Sequence, residues 1–140
     1  MGAANFDPSQ VKVIFGTHSV SGYAEGTFIE CRRNNDSFSL SVGADGKGVR
    51  VKSSNRSGEF ELTLQQSSDS NQVLAALAIT DELTGGGRAP MRVEDLSGET
   101  LIVAETAWIK KPADTMFGNE SNDRVWLFET DNMVMNVGGN

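Results

Sequence analysis

Cysteine and histidine occur once each in these 140 residues and proline three times, and no apolar run approaches the ~20 residues a membrane span needs. With Cys31 alone there is no internal disulfide and no thiolate zinc cluster. With His18 alone there is no two-histidine metal site, and the only conceivable nucleophile–base pair is Cys31 with His18. Met1 to Asp7 lack the basic start and apolar middle of a secretory signal, so a soluble protein made in the cytoplasm is expected. Asn35, Asn55 and Asn119 each open a glycosylation sequon, which without a secretory route reads as a chance match.

Positive charge is also scarce. Twelve Lys and Arg stand against nineteen Asp and Glu, a net charge of −7. Residues 1–70 hold seven basic and eight acidic side chains, and residues 71–140 hold five and eleven. An acidic C-terminal half argues against a protein that grips nucleic acid by neutralising phosphates. The apolar fraction of 38% and charged fraction of 22% are those of a folded domain, and the length suits one domain over residues 1–140 with a core of its own.

What is present is alternation. Fifteen glycines punctuate short segments of period two, which predicts a mainly β fold. Strands are expected at Val11 to Phe15, at Phe28 to Cys31, and at Phe38 to Val42, where Phe38, Leu40 and Val42 would be buried and Ser37, Ser39 and Ser41 would face out. Asp45-Gly46 supplies a hairpin turn into Val49 to Lys52. From Glu59 to Gln66 the pattern repeats, with Phe60, Leu62 and Leu64 inward and Glu59, Glu61, Thr63 and Gln65 outward. Further strands are expected at Met91 to Val93, Thr100 to Lys110, Arg124 to Glu129 and Met133 to Val137. One helix is expected at about 70–82, capped by Asp69 with Gln72 reaching back. Its stripe of Val73, Leu74, Leu77 and Ala78 would be buried, and Gly85-Gly86-Gly87 would end it.

No catalytic constellation emerges. His18 reads as a turn residue and Cys31 as a small core hydrophobe. Gly85 to Arg88 lacks the Gly-Lys-Ser/Thr ending of a phosphate loop, and Asp114, Glu120 and Asp123 lack the spacing of a calcium loop. No metal or cofactor is implied. The aromatic residues Phe28, Trp108, Trp126 and Phe128 could line a sugar cleft, which would make the chain a monomeric β-sandwich binding module. Against that, Val125, Trp126, Leu127 and Phe128 make a strand apolar on both faces, and Met133, Val134 and Met135 repeat the feature. Such strands belong inside a sandwich or at a subunit interface.

Five segments stand in order along the chain: Ser21-Gly22-Tyr23-Ala24-Glu25-Gly26-Thr27-Phe28-Ile29, Gly43-Ala44-Asp45-Gly46, Leu62-Thr63-Leu64-Gln65-Gln66-Ser67-Ser68 leading into Asn71 and Leu74, Ala107-Trp108-Ile109-Lys110-Lys111-Pro112, and the terminal Gly138-Gly139-Asn140. As an ordered set they resemble the tail tube subunits of contractile-tailed phages. The resemblance implies two packed antiparallel sheets, as a sandwich or partly closed barrel, with one flanking helix and no catalytic residues. It also implies hexameric rings stacked into a tube that passes DNA without gripping it, with sheath, baseplate and tape measure proteins as partners and a place in the virion tail. The chain itself would not insert in a membrane. Four strands from each of six copies, about 4.8 Å apart and tilted about 40°, would enclose a circle roughly 48 Å across. At −7 per copy a ring carries −42, the sign of DNA itself. Ser37, Ser39, Ser41, Arg50, Lys52, Glu59, Glu61 and Thr63 are the candidate lining, with Arg50 and Lys52 pairing with Glu59 and Glu61 across strands. The alternatives are that these residues face solvent on an outer sheet, or that Glu105 and Glu129 line the channel. Val125 to Phe128 and Met133 to Met135 are the candidate subunit interface.

Overall fold

The structure, a computed structural model, describes residues 5–139; Met1 to Ala4 and Asn140, which figure in the sequence reading, lie outside the described residues. Among the described residues, ten strands and one α-helix follow a short 3-10 turn at Pro8–Gln10. The strands are β1 (Val11–Phe15), β2 (His18–Ser19), β3 (Ile29–Arg33), β4 (Phe38–Val42), β5 (Gly48–Lys52), β6 (Gly58–Leu64), β7 (Ala89–Asp95), β8 (Leu101–Lys111), β9 (Arg124–Thr130) and β10 (Met133–Asn136). The helix α1 spans Ser70–Thr84 between β6 and β7. The fold is mainly β, in two antiparallel sheets: eight strands in the order β2-β1-β7-β8-β9-β6-β3 with β10 also on β8, and β4 with β5 alone. The large sheet is open at β2 and β3 and does not close into a barrel.

The eleven-residue β8 organises the large sheet. Its first half, Leu101 to Ala104, lies between β7 and β10, and its second half, from Ala107, lies beside β9. Between them the inward phase shifts, from Ile102 and Ala104 to Ala107 and Ile109, because Glu105 and Thr106 both face out. The register shift falls opposite Pro90, which has no N–H to give the ladder. The Thr130 hydroxyl, almost fully buried, donates to the Thr106 carbonyl at 2.7 Å and so satisfies the backbone at the bulge. Two wings result: β2-β1-β7 with the first half of β8 and β10, and the second half of β8 with β9-β6-β3.

The wings share one core. Val13 and Phe15 of β1 and Met91 and Val93 of β7 meet Phe60, Leu62 and Leu64 of β6 and Trp126 and Phe128 of β9. The segment 20–28 stitches the wings together. Val20 N–H donates to the Val13 carbonyl at 2.9 Å, and the Tyr23 hydroxyl accepts from Val13 N–H at 3.2 Å. Ala24 N–H donates to Thr63 at 3.1 Å, and Thr63 N–H to Phe28 at 2.8 Å.

The helix buries Leu74 and Ala78, one turn apart, in this core, while Leu77 is half-buried. Asp69 makes no side-chain cap. Ser68 takes that place, its hydroxyl accepting from Ser70 N–H at 3.2 Å and donating to the Ser21 carbonyl at 2.6 Å. Serine one residue earlier can tie the helix start to the 20–28 segment as well, which the exposed Asp69 cannot. The helix ends at Gly85 in the left-handed conformation, φ +73°, as the glycine run suggests.

Candidate assembly surfaces

The second wing is four strands wide, in the order β8-β9-β6-β3, and every neighbouring pair is antiparallel. Phe60, Leu62 and Leu64 point into the core, so Glu59, Glu61 and Thr63 point away from it, as the alternation predicts. Register places Glu30 opposite Glu61 and Arg32 opposite Glu59 on β3, and Glu129 opposite Glu59 on β9. Trp108 and Lys110 continue this face on β8, and Val125 and Leu127 fill it on β9.

The face is acidic but internally braced. One Arg32 guanidinium reaches Glu59 at 3.0 Å, Glu30 at 3.3 Å and Glu61 at 3.9 Å. Lys110 Nζ holds the other oxygen of Glu59 at 3.0 Å, and the Trp108 indole N–H donates to Glu129 at 3.1 Å. The hydrogen bond from Lys110, followed by that from Arg32, keeps the Glu59 carboxyl below its ordinary range against the opposing pull of burial. The same bond raises the Lys110 ammonium. Four carboxylates and two cations leave the face net negative.

The expected partners of Glu59 and Glu61 are therefore replaced. Arg50 and Lys52 sit on β5, which pairs with β4 and not with β6; Arg32 and Lys110 do what they were expected to do. Sequence reasoning missed Arg32 because β3 was not recognised as the neighbour of β6, and Lys110 because the order β8-β9-β6 was not. The signal was there: Glu30 and Arg32 flank Cys31 in the same alternation that sets Glu59 and Glu61 around Phe60.

β4 and β5 form a ribbon that leaves the wing between Arg33 and Gly58. The turn is the expected one, with Gly46 at φ +86°. The expected burial of Phe38, Leu40 and Val42 is overturned: Phe38 is 43% exposed and Leu40 71%, and Val42, Val49 and Val51 are exposed too. A two-residue alternation marks two unlike faces but says nothing of what covers the apolar one. Pairing puts Lys52 opposite Phe38 and Arg50 opposite Leu40, so the two cations share the apolar face, and Arg50 lies 4.2 Å above the Phe38 ring. Ser39 and Ser41 share the other face with Val51 and Val49. The root is tied down by Arg33, which donates to the Met133 carbonyl at 2.7 Å and 3.0 Å and to the Ser37 hydroxyl at 3.3 Å.

The seven interface candidates divide. Trp126, Phe128 and Met133 are in this chain's own core, and Met135 packs against it half-buried. Val125 and Leu127 belong to the acidic face, and Val134 is exposed on β10. Glu105, the alternative lining, lies at the bulge in a shallow cleft with Gly85 and Arg88, away from Glu129. The aromatic residues do not converge into a sugar cleft: Trp126 points inward, its indole N–H donating to Asn71 at 2.9 Å, Trp108 points outward, and Phe28 packs on Tyr23 at 4.8 Å. His18 Nε2 lies 2.9 Å from the Ser70 hydroxyl at the helix start. Cys31 packs against the core, and burial, followed by the charge of Glu30, pushes its thiol up to about 12.

Residues 8–138 match the family model of the Bacteriophage PhiTE tail tube protein. The chain belongs to this tail tube family. A curated relative, "Structural protein ORF10" of Pseudomonas phage KPP10, is 29% identical over 145 residues, covering 98% of this chain and 84% of the relative. A solved structure of the cap that terminates the tube of the anti-feeding prophage shares the fold, with a TM-score of 0.62 over 97% of this chain and 93% of that one at 8% identity. A tail tube family member is a structural protein of a phage tail, and so part of the virion.

Proposed function

We propose that the chain builds the tail tube itself, copies joining side by side into rings of six and the rings stacking around a channel for DNA. The observation that carries this is the four-strand wing. It has one polar, acidic face, and both its edges are open among the described residues: β3 pairs only with β6, and β8 beyond Ala107 has β9 on one side and no strand on the other.

Four is an even number of antiparallel strands, so β3 and β8 run in opposite directions. The β3 of one copy can then pair antiparallel with the β8 of the next, and the alternation continues unbroken around a ring. Open edges of this kind aggregate unless closed, and a ring abolishes them. The core side of the wing is covered by β1 and β7, so the face turned to the channel is that of Glu30, Arg32, Glu59, Glu61, Thr63, Lys110 and Glu129. Like charge keeps DNA from adhering, while Arg32 and Lys110 moderate the repulsion. In this reading Glu59, Glu61 and Thr63 line the channel and Glu129 joins them, while Ser37, Ser39, Ser41, Arg50 and Lys52 serve the ribbon. The work is structural and not catalytic. A sheath, a baseplate and a tape measure protein are the further partners of a contractile tail, and assembly takes place in the host cytoplasm.

Negative-stain microscopy of the purified protein at rising concentration tests this: rings with six-fold averages and tubes with a central stain-filled channel are expected. A species that light scattering and micrographs both show as monomeric at every concentration refutes it.

A further inference from the structure

At the root of the ribbon lies a cleft of about 290 Å³. Three cations line it: Arg33 at the end of β3, Lys52 at the end of β5, and Arg56 on the segment that returns to β6. In a chain that is −7 overall this is a local excess of positive charge. Arg33 donates to the Met133 carbonyl and the Ser37 hydroxyl, which orient its guanidinium without neutralising it. Among the described residues the Lys52 and Arg56 side chains have no ion-pair partner, and Asp36, in a neighbouring cleft that shares Lys52, pairs with none of the three. The neutral lining is rich in donors as well. Ser37 Oγ already accepts from Arg33 at 3.3 Å, Ser53 Oγ from Asn55 N–H at 3.2 Å, and Asn55 Oδ1 from the N–H and hydroxyl of Ser57 at 3.0 Å and 2.7 Å. With those oxygens engaged, what the three side chains have to offer is two hydroxyl hydrogens and an amide NH2.

We infer that this cleft binds a small phosphate-type oxyanion, held by Arg33, Lys52 and Arg56 and by the hydrogens of Ser37, Ser53 and Asn55. A carboxylate, with two oxygens and one charge, would leave much of this lining unused. A phosphate dianion brings acceptor oxygens on every side and a charge that three cations can share, and guanidinium groups match its oxygens in pairs. A small ion suits the place better than a nucleic acid chain, because the acidic face of the neighbouring wing repels a long polyanion and acts only weakly on a single ion within the cleft. The Phe38 ring walls one side and lowers the local polarity, which strengthens the attraction. The ligands come from two bodies, Lys52 and Ser53 from the ribbon side, Arg33 and Arg56 from the wing side. A bound anion therefore stiffens the joint between the two sheets. The inference stands on the subunit alone and does not depend on the tube.

The experiment is a titration of the isotopically labelled full chain with inorganic phosphate, chloride balancing the ionic strength, followed by NMR. Saturable shifts are expected at the Asn55 side-chain amide and at the backbone amides of Ser37 and Ser53. Lys52→Ala and Arg56→Ala, both at exposed positions, should each weaken phosphate at least about threefold, and together about tenfold or more. Lys47→Ala, in the exposed turn of the ribbon and outside the cleft, should leave the affinity unchanged and so controls for general charge. Shifts that rise without saturating, or that Lys47→Ala weakens as much as Arg56→Ala does, overturn the inference and leave only charge screening. A short DNA duplex is the second arm. No shift at Asn55 with the duplex is expected; a duplex that saturates the same signals at a lower phosphate concentration than the free ion overturns the small-ion reading.

Discussion

The Phe128 ring stands edge-on to the Phe15 ring, centroids 5.0 Å apart and planes at 62°. Their strands, β9 and β1, are separated by β8 and β7 in the sheet, so this contact exists only because the sheet folds over at the β8 bulge. Edge-to-face pairs add to the burial of both rings. Phe128→Ala should cost about 3–5 kcal/mol in urea unfolding, because both rings are fully enclosed and the cavity cannot collapse easily. A cost well below about 1 kcal/mol would mean that the wings are held elsewhere.

Thr130 provides a second test of the same fold-over. Its hydroxyl donates to Thr106 at the bulge and accepts from Asn132 N–H at 3.2 Å. Thr130→Val keeps the shape and removes the donor to the Thr106 carbonyl, so it should cost about 0.5–1.5 kcal/mol, with Thr130→Ser recovering most of the loss. Equal stability of the Val and Ser variants in urea would contradict the role.

Glu59 sets an acid limit. Its carboxyl lies below the ordinary 4.5 in the folded chain, so its contribution is present above about that pH and is lost as pH falls through the lower folded value. The urea midpoint of the wild type should therefore fall more steeply below pH 4.5 than that of Glu59→Gln. Parallel pH profiles would show that the Lys110 and Arg32 contacts contribute nothing.

The strand set was largely legible in the residues, because wherever one face of a strand meets the core the period of two appears: β6 alternates from Gly58 to Leu64 without exception. The ribbon shows the limit of that signal. Phe38, Leu40 and Val42 carry the same pattern, yet nothing in a pattern states whether the covering surface belongs to the same chain. Trp126 and Phe128 fail in the opposite sense, since their apparent surplus is consumed by β1 and the helix, which only topology reveals. The bulge at Glu105 and Thr106 was illegible, because it depends on Pro90 across the ladder. The acidic face was half legible: the outward side of Glu59, Glu61 and Thr63 follows from alternation, whereas their contacts with Arg32 and Lys110 required the register.

Cys31 should be inert in the folded chain. With its thiol pushed up to about 12 by burial it holds almost no thiolate at pH 8, so alkylation of the folded chain should be much slower than that of a free thiol. Modification as fast as that of a free thiol would place Cys31 outside the core.

A cryo-electron microscopy reconstruction of the assembled tube would show whether the acidic face of the β8-β9-β6-β3 wing lines the channel. Arg32, Glu59, Glu61 and Glu129 are expected within it, with β3 of each copy paired antiparallel with β8 of its neighbour. A tube in which Glu59 and Glu61 face outward, or in which β3 pairs with no neighbouring strand, would contradict it.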